Sequence, residues 1–277
     1  MHALPLVLSL LVALALTPAV IARLSAAGLT RENFRGGPLP APLGLLIIPA
    51  GLIALIFLAL VSRLGDADVY PDNFGLVLLF VPGVALLGLV EDMLRGAPAA
   101  PTDAQRGAGD LFSGAVPPGA MKALATLGLA LLVASSLPGS KAEFLLQAAV
   151  LVLAVNTFNL LDPRPGRSVK AFALLGIGLT ISTQNTEALW AVGIFGGPML
   201  VAGFYDLREQ ALLGDAGAGA IGALAGIWMV LTLDTNGQVV ALIVLLAVNI
   251  FGEFRSISNV IEKVPGLRHL DSAGRPS

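Results

Sequence analysis

Four short clusters in this chain carry groups able to handle a charged ligand. Glu91-Asp92 directly follows the apolar run Phe74–Val90. Two carboxylates at the C-terminal end of a helix face the negative end of its dipole. A cation or a basic side chain is the natural compensation, unless the pair is a plain helix stop facing water. Asn156, Asn159 and Asp162 recur every third residue, which sets three polar groups on roughly one helical face. Pro163 disfavours helix at Asp162 and marks an end there. Amides this close to the end of an apolar helix serve either helix–helix hydrogen bonding or a ligand. The following turn, Pro163-Arg164-Pro165-Gly166-Arg167, holds two guanidiniums at the membrane edge. They suit phosphate and equally suit anchoring at a cytoplasmic surface.

The third cluster, Gly214-Asp215-Ala216-Gly217-Ala218-Gly219, opens another apolar run. Its glycines permit close backbone approach, and a helix N-terminus suits an anionic phosphate. Asp215 is also a favoured capping residue. The fourth cluster is the tail from Lys263 to Asp271, which carries His269; the other histidine is His2. Carboxylate and amide oxygens beside Arg, Lys and helix N-termini point to a Mg²⁺–diphosphate site, because Mg²⁺ takes one or two carboxylates plus substrate phosphates.

The elements that must position these groups are membrane helices. The chain has 277 residues, of which 56% are hydrophobic and 12% charged, with a mean hydropathy of +0.87. Soluble domains carry roughly twice that share of charge. The absence of cysteine excludes disulfide scaffolds and Cys-ligated metal centres. A net charge of −2 provides no electrostatic footprint for nucleic acid. A helix crossing the hydrocarbon needs about 20 mostly apolar residues. The sequence predicts an all-α, polytopic membrane protein, a single integral membrane domain of about nine spans (8–10): 3–22, 42–62, 74–90, 119–137, 142–160, 168–184, 187–204, 211–232 and 238–254. The first run lacks the basic n-region of a signal peptide and reads as a retained helix.

Lys and Arg set the orientation. With nine spans, the odd loops and the tail hold 14 of the 16 basic residues, and the even loops hold Arg63 and Lys141. The N-terminus is therefore expected outside and the C-terminus in the cytoplasm, in a plasma membrane. All four clusters then lie on the cytoplasmic face. The loop Ser62–Asn73, with Asp66, Asp68 and Asp72, reads as a solvated outer loop. The Ala-, Gly- and Pro-rich segment Gly96–Pro118 reads as a flexible or re-entrant cytoplasmic loop. Short loops and an apolar exterior are compatible with a monomer or a homodimer.

In motif type and order the chain resembles the polyprenyl-phosphate N-acetylhexosamine-1-phosphate transferases (glycosyl transferase family 4). These are relatives of the phospho-N-acetylmuramoyl-pentapeptide transferase. Asn33-Phe34-Arg35-Gly36 and Pro40-Ala41-Pro42-Leu43-Gly44 are similar to the family's first cytoplasmic loop. Gly88-Leu89-Val90-Glu91-Asp92 is similar to its paired-Asp motif, and Lys122 falls where the family has a Lys opening the next helix. Asn156 to Asp162 matches its N-x-x-N-x-x-D element, and Gly214-Asp215-Ala216-Gly217 resembles its Gly-Asp-x-Gly-Ser motif. The resemblance implies transfer of a sugar 1-phosphate from a UDP-sugar to polyprenyl phosphate with Mg²⁺, releasing UMP, in cell-envelope glycan synthesis. It implies Asp215 as metal ligand with Asn159 and Asp162 near it, and Glu91-Asp92 and Asp162 as the catalytic carboxylates. Asn33, Lys122, Asn156, Arg164, Arg167 and His269 would then contact substrate.

Five features depart from the family pattern. Glu91 replaces the first paired Asp, and Asp162-Pro163-Arg164-Pro165-Gly166 lacks the second Asp of D-G-x-D-G. Ala218 stands where Ser is usual, and the family's His-rich loop is reduced to His269. No counterpart of the family's last helix is expected. Besides an active transferase, these departures admit a non-catalytic relative that binds lipid phosphate as a regulatory or scaffold partner. A lipid or solute transporter is the third reading, disfavoured because the span centres are nearly free of charge.

Overall fold

The computed structural model describes residues 2–95, 118–254 and 257–276. The segment expected to form a cytoplasmic loop after Arg95, apart from Pro118, lies outside the described residues, as does Arg255. Eleven α-helices and one small hairpin make up the described fold. Helix α1 (Leu4–Ala26) is followed by the antiparallel strands β1 (Thr30–Glu32) and β2 (Pro38–Pro40), which pair Arg31 with Leu39. A 3-10 turn, Leu43–Leu46, leads into α2 (Ile47–Leu64), then α3 (Phe74–Arg95), α4 (Pro118–Ala134) and α5 (Lys141–Leu161). Next come α6 (Arg167–Thr183), α7 (Glu187–Leu207), α8 (Gly214–Thr232) and α9 (Thr235–Phe254). The tail forms α10 (Ile257–Lys263) and α11 (Pro265–Ser272).

Each of the nine expected spans is a helix. Seven of them are long and apolar enough to cross a membrane: those built on α1, α2, α3, α5, α7, α8 and α9. Helices α4 and α6 have 17 residues each, short of the about 20 that a perpendicular crossing needs. Large apolar side chains point outward, among them Ile56 on α2, Ile177 and Ile181 on α6, and Ile243 on α9. A soluble protein would place charge there. The molecule is membrane-embedded.

Helix α8 is the hub: nearly every residue of it is buried, and α3, α5 and α7 pack around it. Lipid offers helices no hydrophobic driving force for association, so close packing through small residues has to supply it. A Cβ added at Gly222 would sit 2.6 Å from the Cα of Val155 on α5. One added at Gly88 on α3 would fall 2.7 Å from the Cα of Ala216. Glycine at these two positions lets α8 touch both neighbours backbone to backbone.

Helix ends follow their local chemistry. Ser140 and Glu143 form a reciprocal capping box at the start of α5, which satisfies two otherwise orphaned N–H groups. Helix α5 stops at Leu161, with Asp162 as its C-cap immediately before Pro163. Gly166 then takes a left-handed φ of 73° to start α6.

Candidate active site

The described ends of the odd loops meet at one end of the bundle. The hairpin segment Arg31–Phe34, the end of α3, the start of α4, the end of α5 with its turn, the end of α7 and the start of α8 enclose a cavity of about 590 Å³. Of the residues singled out from sequence, Asn33, Glu91, Lys122, Asn156, Asn159, Asp162 and Asp215 line it. Asp92, Arg164, Arg167 and His269 are not among the lining residues.

Glu91 and Asp92 point to different tasks. Lys122 Nζ lies 2.8 Å from Glu91 Oε2, so the start of α4 neutralises the end of α3. Asp92 turns toward α8. Its Oδ1 accepts the Asp215 N–H at 3.0 Å, its Oδ2 accepts the Ala216 N–H at 2.9 Å, and Arg31 Nη2 lies 3.2 Å from Oδ1. The first N–H groups of α8, which the sequence offers to a phosphate or to a cap by Asp215 itself, are held by Asp92. A negative C-terminal end of α3 thus meets the positive N-terminal end of α8 through one carboxylate. Gly214, at φ 72°, makes the approach possible, since a Cβ there would press on Asp92 Oδ2 at 2.8 Å.

Asn159 and Asp162 project from the end of α5. The Asn159 Oδ1 is buried and, among the described residues, has no hydrogen-bond partner. Burial pushes the Asp162 carboxyl well above the usual carboxylate range, and the charges of Asp206, Asp215 and Asp92 add to that. Asn156 Nδ2 donates to Asn249 Oδ1 on α9. Asn249 is held in turn by the Thr157 hydroxyl at 2.8 Å and the Leu245 carbonyl at 2.7 Å, both accepting from its Nδ2. Asn33 shapes the hairpin tip: its Oδ1 accepts the N–H groups of Arg35 and Gly37, each at 2.9 Å, and its Nδ2 donates to Glu209 at 3.1 Å.

Three participants were not singled out from sequence. Asp206, only 3% exposed, lines the cavity. Its carboxylate accepts the Gly166 N–H and, at 3.1 Å, the Leu213 N–H, tying the α5–α6 turn to the start of α8. A lone carboxylate in the last turn of an apolar helix was the available signal, since it opposes the dipole there. Arg31 and Asn249 are the others. Asn249 was visible as an amide inside an apolar run, a placement that calls for a partner.

Arg164 and Arg167, from the α5–α6 turn, engage the tail, in which His269 lies. Arg167 is buried; its Nε lies 2.9 Å from Asp271 Oδ1, its Nη2 3.2 Å from Oδ2, and its Nη1 donates to the Ser258 hydroxyl at 3.0 Å. Arg275 Nη2 also reaches Asp271 Oδ1 at 2.9 Å. Burial alone would raise the Asp271 carboxyl, yet the hydrogen bonds from Arg167 and Arg275 hold it down to about 2. Lys170 donates to the carbonyls of Leu270, Asp271 and Ala273, at the C-terminal end of α11. Arg164 pairs with Glu262 and lies over the Phe34 ring at 5.2 Å. His269 is exposed on α11.

The first cavity is lined by five carboxylates (Glu32, Glu91, Asp162, Asp206, Asp215) and two cations (Arg31, Lys122). By formal charge a bare diphosphate would meet a net negative wall, and a divalent cation carried with it would offset that repulsion. Among the described residues no group of three or more His, Cys, Asp or Glu side chains forms a ready metal cage. Mg²⁺ does not require one, since it usually keeps waters and shares substrate phosphates. Asp162, Asp215 and Asn159, whose amide oxygen is unsatisfied, all line this cavity and offer only oxygen donors, the ligand type that Mg²⁺ takes. No protein-family model matches the chain, and no curated protein gives a significant match.

Proposed function

We propose that this chain is a membrane transferase that moves a sugar 1-phosphate from a UDP-sugar onto polyprenyl phosphate in cell-envelope glycan synthesis. It would work at the cytoplasmic face of the plasma membrane, as a divergent relative of glycosyl transferase family 4. The observation that carries this reading is the convergence of Asn33, Glu91, Lys122, Asn156, Asn159, Asp162 and Asp215, drawn from separate stretches of sequence, on one acidic cavity. With nine spans and the N-terminus outside, that cavity would face the cytoplasm, a reading supported by the 14-to-2 distribution of Lys and Arg.

In the proposed reaction an oxygen of the lipid phosphate attacks the sugar-bearing phosphorus of the UDP-sugar. The bond from that phosphorus to the bridging oxygen breaks, and UMP leaves with the electron pair. Mg²⁺, when bound, neutralises the charge that develops on the diphosphate. Asp215, Asp162 and Asn159 would hold it. Lys122, kept in place by Glu91, contacts phosphate. Asp92 acts as a positioning residue: by holding the first turn of α8 it fixes where Asp215 points. The lipid phosphate is already ionised near neutral pH, so no strong base is required.

A second reading, a non-catalytic relative that binds lipid phosphate, draws on two observations. Both Asp92 oxygens are engaged by α8, and Pro165 stands where the family has its second Asp. A UMP-release assay separates the two. Purified protein is given undecaprenyl phosphate, Mg²⁺ and a panel of UDP-sugars, with Asp215→Asn as control. Release that depends on lipid, metal and Asp215 is expected. No release from folded protein across the panel would favour the non-catalytic reading.

A further inference from the structure

A second cavity, of about 740 Å³, lies between the hairpin tip and the tail helices, sharing Phe34 with the first. Its charge is reversed. Arg35, Arg164, Lys263, Arg268 and Arg275 line it, against Glu262 and Asp271. Asp271 is already saturated by Arg167 and Arg275, and Glu262 is paired with Arg164. Lys263 and Arg268 make no ion pair among the described residues. The guanidiniums of Arg35, Arg164 and Arg275 all lie 5.2–5.6 Å from the Phe34 ring centroid, so like charges are gathered around one aromatic ring. Arg35 is paired with Glu209 at 3.4 Å, so among the described residues the cationic surplus of this cavity rests on Lys263 and Arg268.

The surroundings identify the counter-charge. The tail leaves α9, whose Phe254 is 79% exposed, and presents Val260, Val264, Leu267 and Leu270 outward beside the cationic cavity. Short helices with apolar residues exposed next to Lys and Arg lie at a membrane interface. Basic pockets at the cytoplasmic ends of membrane helices take anionic headgroups. We propose that this second cavity binds the phosphate headgroup of an acidic phospholipid, seating the tail helices on the membrane surface. The site is separate from the acidic cavity, and the inference does not depend on the transferase reading.

Native mass spectrometry of the full chain in detergent tests it, with phosphatidylglycerol and phosphatidylcholine of matched acyl chains as probes. The native protein retains phosphatidylglycerol preferentially, and the preference weakens as salt rises. The double variant Lys263→Gln, Arg268→Gln removes two exposed, unpaired cations. It lowers the preference by about tenfold, at a few-fold per cation, with an unchanged melting temperature. Equal retention of the two lipids by the native protein would overturn the proposal, as would an unaltered, salt-insensitive preference in the variant. Displacement of phosphatidylglycerol by millimolar inorganic phosphate would assign the cavity to a soluble phosphate and overturn the lipid assignment.

Discussion

Two cavities share one phenylalanine and carry opposite charge. The first is walled by five carboxylates and two cations, the second by five cations and two carboxylates. A phosphate can enter the second directly. Entry to the first is expected only together with a cation. Net charge, −2 for the chain, conceals both. The acidic side is built by membrane helices and their turns, and the basic side mostly by the hairpin tip and the tail. The same chemical group, phosphate, is therefore expected in two states: metal-bound where chemistry is proposed, bare where the protein meets the lipid surface.

That contrast can be broken from either side. The largest effect is expected from Arg167→Met, which leaves Asp271 buried with its main partner gone. Removing one member of a buried pair costs about 3–5 kcal/mol. The tail should loosen, read as faster proteolysis of residues 257–276. An unchanged cleavage rate would show that Arg275 alone holds Asp271.

On the acidic side, Asp162→Asn and Asp215→Asn should each lower UMP release by about 100-fold or more, roughly 2.7 kcal/mol of transition-state stabilisation. The melting temperature should change little. Asp92→Asn sharpens the distinction between holding α8 and binding ligand. It loses one of two acceptor oxygens facing backbone N–H groups, so a stability loss of about 1–3 kcal/mol is expected, with activity falling in step. Lost turnover at full stability would instead place Asp92 at the substrate.

The smallest effect is in pH. The folded Asp271 carboxyl sits at about 2, below its ordinary 3.8. Its contribution to tail docking is fully present above about pH 4 and lost as pH falls through about 2. Hydrogen exchange across α10 and α11, corrected for intrinsic rates, should be flat from neutral pH down to about 4 and rise below that. Exchange that rises already between neutral pH and about 5 would implicate another group.

Much of this was legible in the sequence, for identifiable reasons. Apolar run length predicted nine helices because the membrane imposes it, and α3 begins at Phe74 as the pattern required. The spacing of Asn156, Asn159 and Asp162 placed all three on one cavity wall because helical geometry is local. The task of Asp92 was not legible. It depends on α8 meeting the end of α3 across more than a hundred residues, and spacing along the chain carries no trace of that. Asp206 left one signal, a lone carboxylate in the last turn of an apolar helix, but its partners are backbone N–H groups at Gly166 and Leu213, which no side-chain motif marks. The Arg164–Arg167 turn read equally as phosphate binder and membrane anchor. The outcome, a clamp on Asp271, required the tail to fold back, which no local pattern announces.

The central claim is that the acidic cavity takes a diphosphate only together with a divalent cation. Measuring UDP-sugar affinity for the full chain in detergent with and without Mg²⁺ tests it most directly. Two carboxylates beside the site predict at least about tenfold weaker binding without the metal. The metal dependence should disappear in Asp162→Asn and Asp215→Asn. UDP-sugar binding that is equally tight in a chelator and with Mg²⁺ would contradict the claim.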